Sequence, residues 1–269
     1  MPNLLQLKAL RNKYIHQNDI LSDKYLNDFS DSDLNLLMES FKYSSNNISD
    51  SFKYKQLNLN TKHFFPYFEQ QKSADVVLTF IDITDFSIKC INKTNSELSK
   101  YLDNYYDKVI PIIYKHGGEI EKILGDGIIA VFGAPFLNDI KEVLFKKVDQ
   151  CCKDIIMELK NTNMEVKAAI VDGNIMYYKN KSIEYPEYTI IGKPITELYR
   201  LESVSDNNAI NYYGICDYDK KNFSNQNICF HSNKSILSHW KKSSLISTSL
   251  KGVSFNSRKK NECFSSINL

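Results

Sequence analysis

Residues 118–133 read GEIEKILGDGIIAVFG, and they place Asp126 between two glycines in the turn that joins two apolar runs. Asp-Gly is a strong two-residue hairpin signal, because both residues tolerate a positive φ. The segments IEKIL and IIAVF therefore predict the two strands of a β-hairpin. Taken alone, this stretch favours a purely structural turn, and a functional role for Asp126 requires a second acidic group nearby.

Helices and strands are predicted on both sides of this hairpin. A buried strand is expected in DVVLTFIDIT, followed by a helix that ends at Gly117 and Gly118 and is bent or restarted at Pro111. After the hairpin, the segment NDIKEVLFKKVDQCCKDIIMELKNT predicts a long amphipathic helix with an Asn/Asp start.

The next two segments complete the pattern. MEVKAAIVDGNIMYY predicts a strand, a turn at Asp172 and Gly173, and a second strand. YTIIGKPITELYRLESVS predicts a short strand, a glycine turn and a helix that begins at Pro194. The order β-α-α-β-β-α-β, followed by a further strand and helix, indicates an α+β fold of the ferredoxin-like type with a mixed sheet.

A second acidic stretch, FIDITDFS, changes the interpretation of Asp126. Asp82 lies at the end of the first buried strand, and Asp85 follows in the turn. Because the first strand and the hairpin of a ferredoxin-like sheet are neighbours, Asp82 is expected to face Asp126. Two adjacent carboxylates repel each other unless a cation lies between them, and oxygen ligands favour Mg²⁺ or Mn²⁺.

Composition limits the class of protein. The net charge of the 269-residue chain is +2, which makes no electrostatic case for a nucleic-acid partner. Six scattered cysteines form no CxxC pair, which favours free thiols in a reducing cytoplasm. With no signal-peptide core and no apolar run of membrane-spanning length, we expect a cytoplasmic protein without a membrane partner.

Three regions are expected along the chain. Residues 1–60 are polar and partly helical, and we interpret them as an N-terminal extension. Residues 61–269 would form one domain, with its core motifs in 76–205 and C-terminal strands in 206–269.

Together these motifs resemble the class III nucleotidyl cyclases over about residues 76–205. FIDITDFS is similar to the first metal motif of that family and EKILGDGIIAVFG to the second. EYTIIGKPITELYRLES is similar to its dimer-interface segment, in which Gly192 and Arg200 fit the pattern and Thr196 stands where the family has Asn. Lys251 resembles the family's phosphate-binding lysine.

The resemblance implies a site and a reaction. Asp82, Asp126 and the carbonyl of Ile83 would hold two divalent cations, Mn²⁺ or Mg²⁺, and the N–H groups of residues 84–86 would receive phosphate oxygens. Arg200 would stabilise charge on the transferring phosphoryl group, and Thr196 would do part of the work of the usual amide. The substrate would be a nucleoside triphosphate, bound at the subunit interfaces of a homodimer with two equivalent sites.

The base that is cyclised is harder to predict. The family's base-reading positions hold Lys122 and Thr189, a pair that resembles bacterial adenylate cyclases. The short, stand-alone layout and the aromatic lead-in FFPYFEQ resemble instead the pyrimidine cyclases of Pycsar antiphage systems. In those enzymes the product is cyclic UMP or cyclic CMP, and Tyr67 would contact the smaller base. We favour the pyrimidine hypothesis, with ATP as the alternative.

Two other classes of protein share part of this motif pattern. A haloacid-dehalogenase-type phosphatase also uses a strand-end Asp and a GDG loop, but it needs a second Asp two residues after the first, where this chain has Thr84. A degenerate cyclase fold that only binds nucleotide is favoured by Thr196 alone, whereas Asp82, Asp126 and Arg200 are present.

Overall fold

The computed structural model describes residues 9–11, 13–14, 66–179, 188–213, 227–236, 239–244 and 246–249. Lys251 and the segments DSDLNLLMESFKY, SLKGVSF and ECFSSI lie wholly or mainly outside these residues. The predicted boundary between the N-terminal extension and the domain therefore stays a prediction.

The described chain folds in the predicted order. Its first half contains β1 (Ser73–Ile83), α1 (Phe86–Cys90), α2 (Asn95–Lys115), β2 (Glu119–Leu124), β3 (Gly127–Gly133), α3 (Lys141–Leu159) and β4 (Val166–Lys179). Its second half contains β5 (Tyr188–Ile191), α4 (Lys193–Glu202), β6 (Ala209–Tyr213), β7 (Asn227–Ile236), β8 (His239–Lys242) and β9 (Ile246–Ser249). The predicted β-α-α-β-β-α-β core, followed by a strand and a helix, is confirmed.

The described strands form one mixed sheet with β1 near its centre. Its order is β2-β3-β1-β4-β6-β7-β8, with β5 paired to β4 and β9 paired to β7. The pair β4–β6 is parallel and the other described pairs are antiparallel. The α+β fold class with a mixed sheet is therefore confirmed.

Strand β1 is buried on both faces, which explains its unbroken apolar run. Val77 and Ile81 belong to the cluster that α2 and α3 cover, which we call the α2/α3 face. Leu78 and Phe80 belong to the cluster that α4 covers, which we call the α4 face. Because side chains alternate across a strand, two covered faces require apolar residues at successive positions.

The predicted turn at Asp172 and Gly173 is wrong. β4 continues through both residues, and its pairing with β1 runs without interruption from Val166 to Met176. Gly173 has a φ of +152°, and a Cβ there would lie 2.6 Å from Cγ of Pro194. This glycine therefore serves the close approach of α4 to the sheet and makes no turn.

Two details of the helices also differ from the prediction. Pro111 lies inside α2, which is one continuous helix and begins with a capping box formed by Thr94 and Glu97. The N-cap of α3 is Ile140, without a side-chain cap. Asp139, the predicted start, forms an ion pair with Lys147 at 2.6 Å instead.

Part of the N-terminal segment packs against the sheet domain. Residues 9–11 and 13–14 are helical, and Tyr14 is buried in the cluster on the α2/α3 face. The Tyr14 hydroxyl donates to Asp107 of α2 at 2.7 Å, and the Arg11 guanidinium donates to buried Glu119 of β2 at 2.7 Å. These contacts join the described N-terminal residues to the two elements that lead into the GDG hairpin.

No helix in the described ranges combines the length and the apolar character that crossing a membrane requires. Cys90, Cys151 and Cys152 are free thiols, as predicted for these positions.

Candidate active site

The sheet brings Asp82 and Asp126 together at one end of its central strands. Asp82 pairs with Gly127 across the β1–β3 ladder, and Asp126 immediately precedes that glycine in the β2–β3 turn. The predicted hairpin is confirmed, and so is the proximity of the two carboxylates expected from the strand order.

Both glycines of the GDG turn have a structural reason. Gly125 lies in the left-handed region, with a φ of +63°. A Cβ on Gly127 would lie 2.6 Å from the ring of Phe80 and 3.3 Å from Oδ1 of Asp82. Any larger residue at position 127 would therefore displace the Asp82 carboxylate or the ring beside it.

The turn is held from the α2/α3 face. The Tyr106 hydroxyl of α2 donates a hydrogen bond to the carbonyl of Gly125, the residue before Asp126. On the α4 face, the ring of Phe80 packs edge-on against Tyr199 of α4, with 5.5 Å between centroids. Neither Tyr106 nor Tyr199 was among the predicted site residues.

Burial and neighbouring negative charges raise the pKa of both carboxyls. Burial raises the pKa of Asp82 to about 7, and the negative charges of Asp126 and Glu202 add to the effect. Burial also raises the pKa of Asp126. Because the two carboxyls lie close together, the pKa of Asp82 depends on the charge of Asp126.

Lys167 is a cation beside this pair that is absent from the residues predicted from the sequence. Lys167 pairs with Asp82 across the β1–β4 ladder. The Lys167 Nζ lies 3.5 Å from Oδ2 of Asp82 and 2.7 Å from Oε1 of Glu202 in α4. The available sequence signal was a lysine in the otherwise apolar run VKAAIV. That signal alone does not name the acidic partner of Lys167, which only the β1–β4 register identifies.

The carboxylate pair fits divalent cations that are completed by a substrate. In the described part of the chain, no group of three or more His, Cys, Asp and Glu side chains is arranged to hold a metal ion. Mg²⁺ is commonly bound by one or two carboxylates together with substrate phosphates, which matches two mutually repelling aspartates. The Ile83 side chain is buried in the α2/α3 face, so only its carbonyl is suited to contact an ion.

One part of the predicted phosphate-binding loop is already occupied. The Thr84 N–H donates to the Glu165 carbonyl at 2.9 Å, and the Thr84 hydroxyl donates to the same oxygen at 3.0 Å. A phosphate-binding loop at this position would therefore begin at Asp85, which has a φ of +54° and is the N-cap of α1. The expectation for the N–H of residue 84 is wrong because that group completes the β1–β4 edge.

Thr196 and Arg200 lie on the exposed face of α4, one helical turn apart. Within the described ranges, no hydrogen bond or ion pair joins the Arg200 guanidinium to Asp82 or Asp126. The same helix buries Leu198 and Leu201 against the sheet. Helix α4 thus presents its polar pair away from its own chain.

The two base-reading candidates lie on different strands, and the residues next to them are joined by a hydrogen bond. Lys122 is on β2 and Thr189 is on β5, and both are partly exposed. The Ile190 N–H, next to Thr189, donates to Oε1 of Glu121, next to Lys122, at 3.3 Å. The structure therefore brings the segments of Lys122 and Thr189 together.

Tyr67 lies in the short lead-in before β1. It is partly buried against the α4-face cluster, and the Lys72 ammonium lies 5.2 Å from its ring centroid. Its neighbour Phe68 packs edge-on against Tyr188, with 4.8 Å between centroids. The lead-in is thus attached to the residue before Thr189, although contact of Tyr67 with a base stays a prediction.

Stability of the metal-free protein should depend on the ionisation of Asp82. Because folding raises the pKa of this carboxyl from 3.8 to about 7, its protonated form stabilises the fold below pH 4, and this contribution is lost as the pH rises through 7. We expect the metal-free Tm to fall between about pH 4 and 7 and to level off above pH 7, as measured by differential scanning fluorimetry. Mn²⁺ should raise the Tm more at pH 8 than at pH 6, because metal ligands must be deprotonated.

Asp82→Asn is the matched variant for this experiment, because it keeps the shape of the side chain and removes its titration. It should flatten the fall in Tm and abolish the response to Mn²⁺. An unchanged pH slope in Asp82→Asn would contradict the assignment of the slope to Asp82.

The site combines an acidic pair at the end of a central strand, a GDG hairpin beside it and a basic residue within reach. This combination is typical of a nucleotidyl cyclase catalytic domain. The family model described as the adenylate and guanylate cyclase catalytic domain matches residues 68–217. The chain belongs to this family.

The chain is similar to two mycobacterial proteins and to a solved cyclase structure. Uncharacterized protein Rv1319c of Mycobacterium tuberculosis and uncharacterized protein Mb1353c of Mycobacterium bovis are each 30% identical over 134 residues, which are 49% of this chain and 24% of each relative. The chain thus spans about a quarter of the length of these relatives. The guanylyl cyclase Cya2 is 18% identical with a TM-score of 0.50, over 72% of this chain and 98% of that one, a likeness of fold.

Proposed function

We propose that the protein is a nucleotidyl cyclase that converts a ribonucleoside triphosphate to a 3′,5′-cyclic nucleotide and pyrophosphate. The observation that carries this proposal is the adjacency of Asp82 and Asp126, with Lys167 beside them, in a chain of the cyclase family. The preferred substrate is UTP, followed by CTP, and the product serves as an antiviral second messenger in a bacterial Pycsar-type system.

In this proposal the acidic pair binds two divalent cations, Mn²⁺ or Mg²⁺. Bound there, such ions lower the pKa of a hydroxyl and neutralise phosphate charge. The 3′-hydroxyl would lose its proton to solvent water as its oxygen forms a bond to the α-phosphorus, the bond from that phosphorus to the bridging oxygen would break, and pyrophosphate would leave with that oxygen. Asp82 and Asp126 would hold the ions that position the hydroxyl and the α-phosphate, and Lys167 would exchange Glu202 for the triphosphate oxygens.

Arg200 and Thr196 complete the site of a second copy of the chain. Both lie on the exposed face of α4, and among the residues that the structure describes neither forms a hydrogen bond or ion pair with the acidic pair of its own chain. A guanidinium that reaches the α-phosphate from the partner would stabilise the charge that grows there in the transition state. The proposal therefore includes a homodimer with two equivalent interfacial sites.

In this proposal, the side chains of Lys122 and Thr189 select the base. Lys122 can donate to a uracil carbonyl as readily as to an adenine ring nitrogen. The contact of Phe68 with Tyr188 joins the lead-in to β5 and supports a role for the neighbouring Tyr67, whose ring would fill the space that a purine would take. The pair Lys122 and Thr189 also resembles that of adenylate cyclases, which makes ATP the second candidate.

A competition assay tests the base. Purified protein with Mn²⁺ and equal concentrations of UTP, CTP, ATP and GTP should yield mainly cyclic UMP, with products identified by mass. Discrimination against ATP should be roughly 10²-fold or more, because a mismatched base edge leaves buried polar groups unpaired at about 1–3 kcal/mol each.

Tyr67→Ala should weaken use of the preferred nucleotide, whereas Tyr67→Phe, which keeps the ring, should retain it. Predominant cyclic AMP would refute the pyrimidine proposal and leave the mechanism at the acidic pair intact. Equal activity of Tyr67→Ala and wild type would remove Tyr67 from the base pocket.

A further inference from the structure

A β-bulge in β2 determines which face of the sheet Lys122 occupies. Ile120 pairs with Ala130 of β3, but Lys122 pairs with Ile129, so Glu121 is the extra residue on β2. Ala130 belongs to the α2/α3 face and Ile129 to the α4 face. Because a shift of one residue moves a side chain to the opposite face, the bulge turns Lys122 toward the α4 face.

The bulge residue itself is a buried carboxylate that reaches a distant strand. Glu121 is only 2% exposed, and its Oε1 accepts a hydrogen bond from the N–H of Ile190 in β5 at 3.3 Å. β2 and β5 are not neighbours in the sheet, since β2 pairs with β3 and β5 pairs with β4. The contact therefore joins two strands that the backbone ladders leave separate.

The two residues that this hydrogen bond joins are direct neighbours of the base-reading candidates. Lys122 follows Glu121 on β2, and Thr189 precedes Ile190 on β5. Any change in the separation of Glu121 and Ile190 changes the separation of Lys122 and Thr189. A base that bridges those two side chains must match that separation.

We propose that Glu121 is a positioning residue that sets base selectivity by fixing β5 against β2, a role that rests on the proposed cyclase function. It acts through Lys122 and Thr189 and does not itself touch the reacting atoms. Without the carboxylate, β5 can shift, and the pocket accepts purine and pyrimidine edges with similar affinity.

The electrostatic surroundings of Glu121 agree with this location. Burial raises the pKa of its carboxyl, and the Ile190 N–H and the Lys122 charge act in the opposite direction. Burial, followed by the charge of Glu121, raises the pKa of Tyr199 in α4. The carboxylate thus interacts electrostatically with groups on β2, on β5 and on the helix that carries Thr196 and Arg200.

The experiment measures binding and turnover in variants of Glu121. Glu121→Ala should raise KM for UTP about tenfold with kcat within about twofold, because the acidic pair lies elsewhere. It should also reduce the preference for UTP over ATP about tenfold. Glu121→Gln keeps an oxygen that can accept from Ile190, and it should restore both values. Equilibrium binding of 3′-deoxy-UTP and 3′-deoxy-ATP, which cannot cyclise, should show the same loss of discrimination.

Glu119→Ala is the matched control, because Glu119 is a buried carboxylate two residues upstream on β2 that binds Arg11. It should lower the Tm and leave KM and base preference unchanged. If Glu121→Ala also changes only the Tm, the positioning role is refuted.

If Glu121→Ala does not fold, Glu121→Asp, whose carboxylate is set back from Ile190, should raise KM and reduce selectivity, and wild-type values would refute the proposal. Wild-type protein that discriminates among the 3′-deoxynucleotides but forms no cyclic product would refute the proposed function alone. Unchanged discrimination in an active Glu121→Ala enzyme would refute the inference about Glu121 alone.

Discussion

Cyclic nucleotide formation is expected to fall about 10³-fold or more when either Asp82 or Asp126 is replaced with alanine. Each substitution removes one of the two carboxylates that can hold divalent cations at this site, and such ions provide several kcal/mol of charge stabilisation. A loss of about 4 kcal/mol corresponds to about 10³-fold in rate. The measurement is release of pyrophosphate in the presence of Mn²⁺, with the cyclic product identified by mass.

The fold should survive both substitutions. Both side chains are only partly buried, at a strand end and in a turn, and burial already disfavours the ionised form of each. The Tm of Asp82→Ala at pH 8 should therefore equal or exceed that of the metal-free wild type.

Asp139→Ala is the matched control for both aspartates. Asp139 forms a surface ion pair with Lys147, and such a pair contributes about 0–1 kcal/mol. The control should keep nearly full activity. Activity near that of the wild type in Asp82→Ala or Asp126→Ala would refute the role of the pair.

Mixing inactive Asp82→Ala with inactive Arg200→Ala is expected to restore activity. If each site takes its acidic pair from one chain and its arginine from the other, the mixed dimer has one site with neither lesion. Random exchange of subunits makes about half of the dimers mixed, so recovery should approach about one quarter of wild-type turnover. Pyrophosphate release after co-refolding or prolonged mixing measures it.

Two controls make this result decisive. Each variant mixed with itself should stay inactive, and Asp82→Ala mixed with Asp126→Ala should also stay inactive, because both lesions affect the acidic side. Exchange must be demonstrated with differently tagged chains. If tagged mixed dimers form without recovery, each chain completes its own site and the interfacial proposal is wrong.

The sequence by itself determined the order of the elements and the identity of the acidic pair. The period and length of the apolar runs specify a strand or a helix locally, and Asp-Gly between two such runs specifies a hairpin. Asp82 and Asp126 are recognisable because each follows or interrupts an apolar strand. Local patterns also misled at Asp172 and Gly173, where a strong turn signal lies inside the continuous strand β4.

Only the tertiary structure decided which residues surround that pair and which support the proposed base-binding residues. Lys167 becomes a site residue through its register with Asp82, and the need for glycine at position 173 arises from the close approach of Pro194. The bulge at Glu121 and its contact with Ile190 depend on the packing of β5 near β2. These contacts join residues about 20 to 85 positions apart, and nothing in a local period specifies register or approach over such separations.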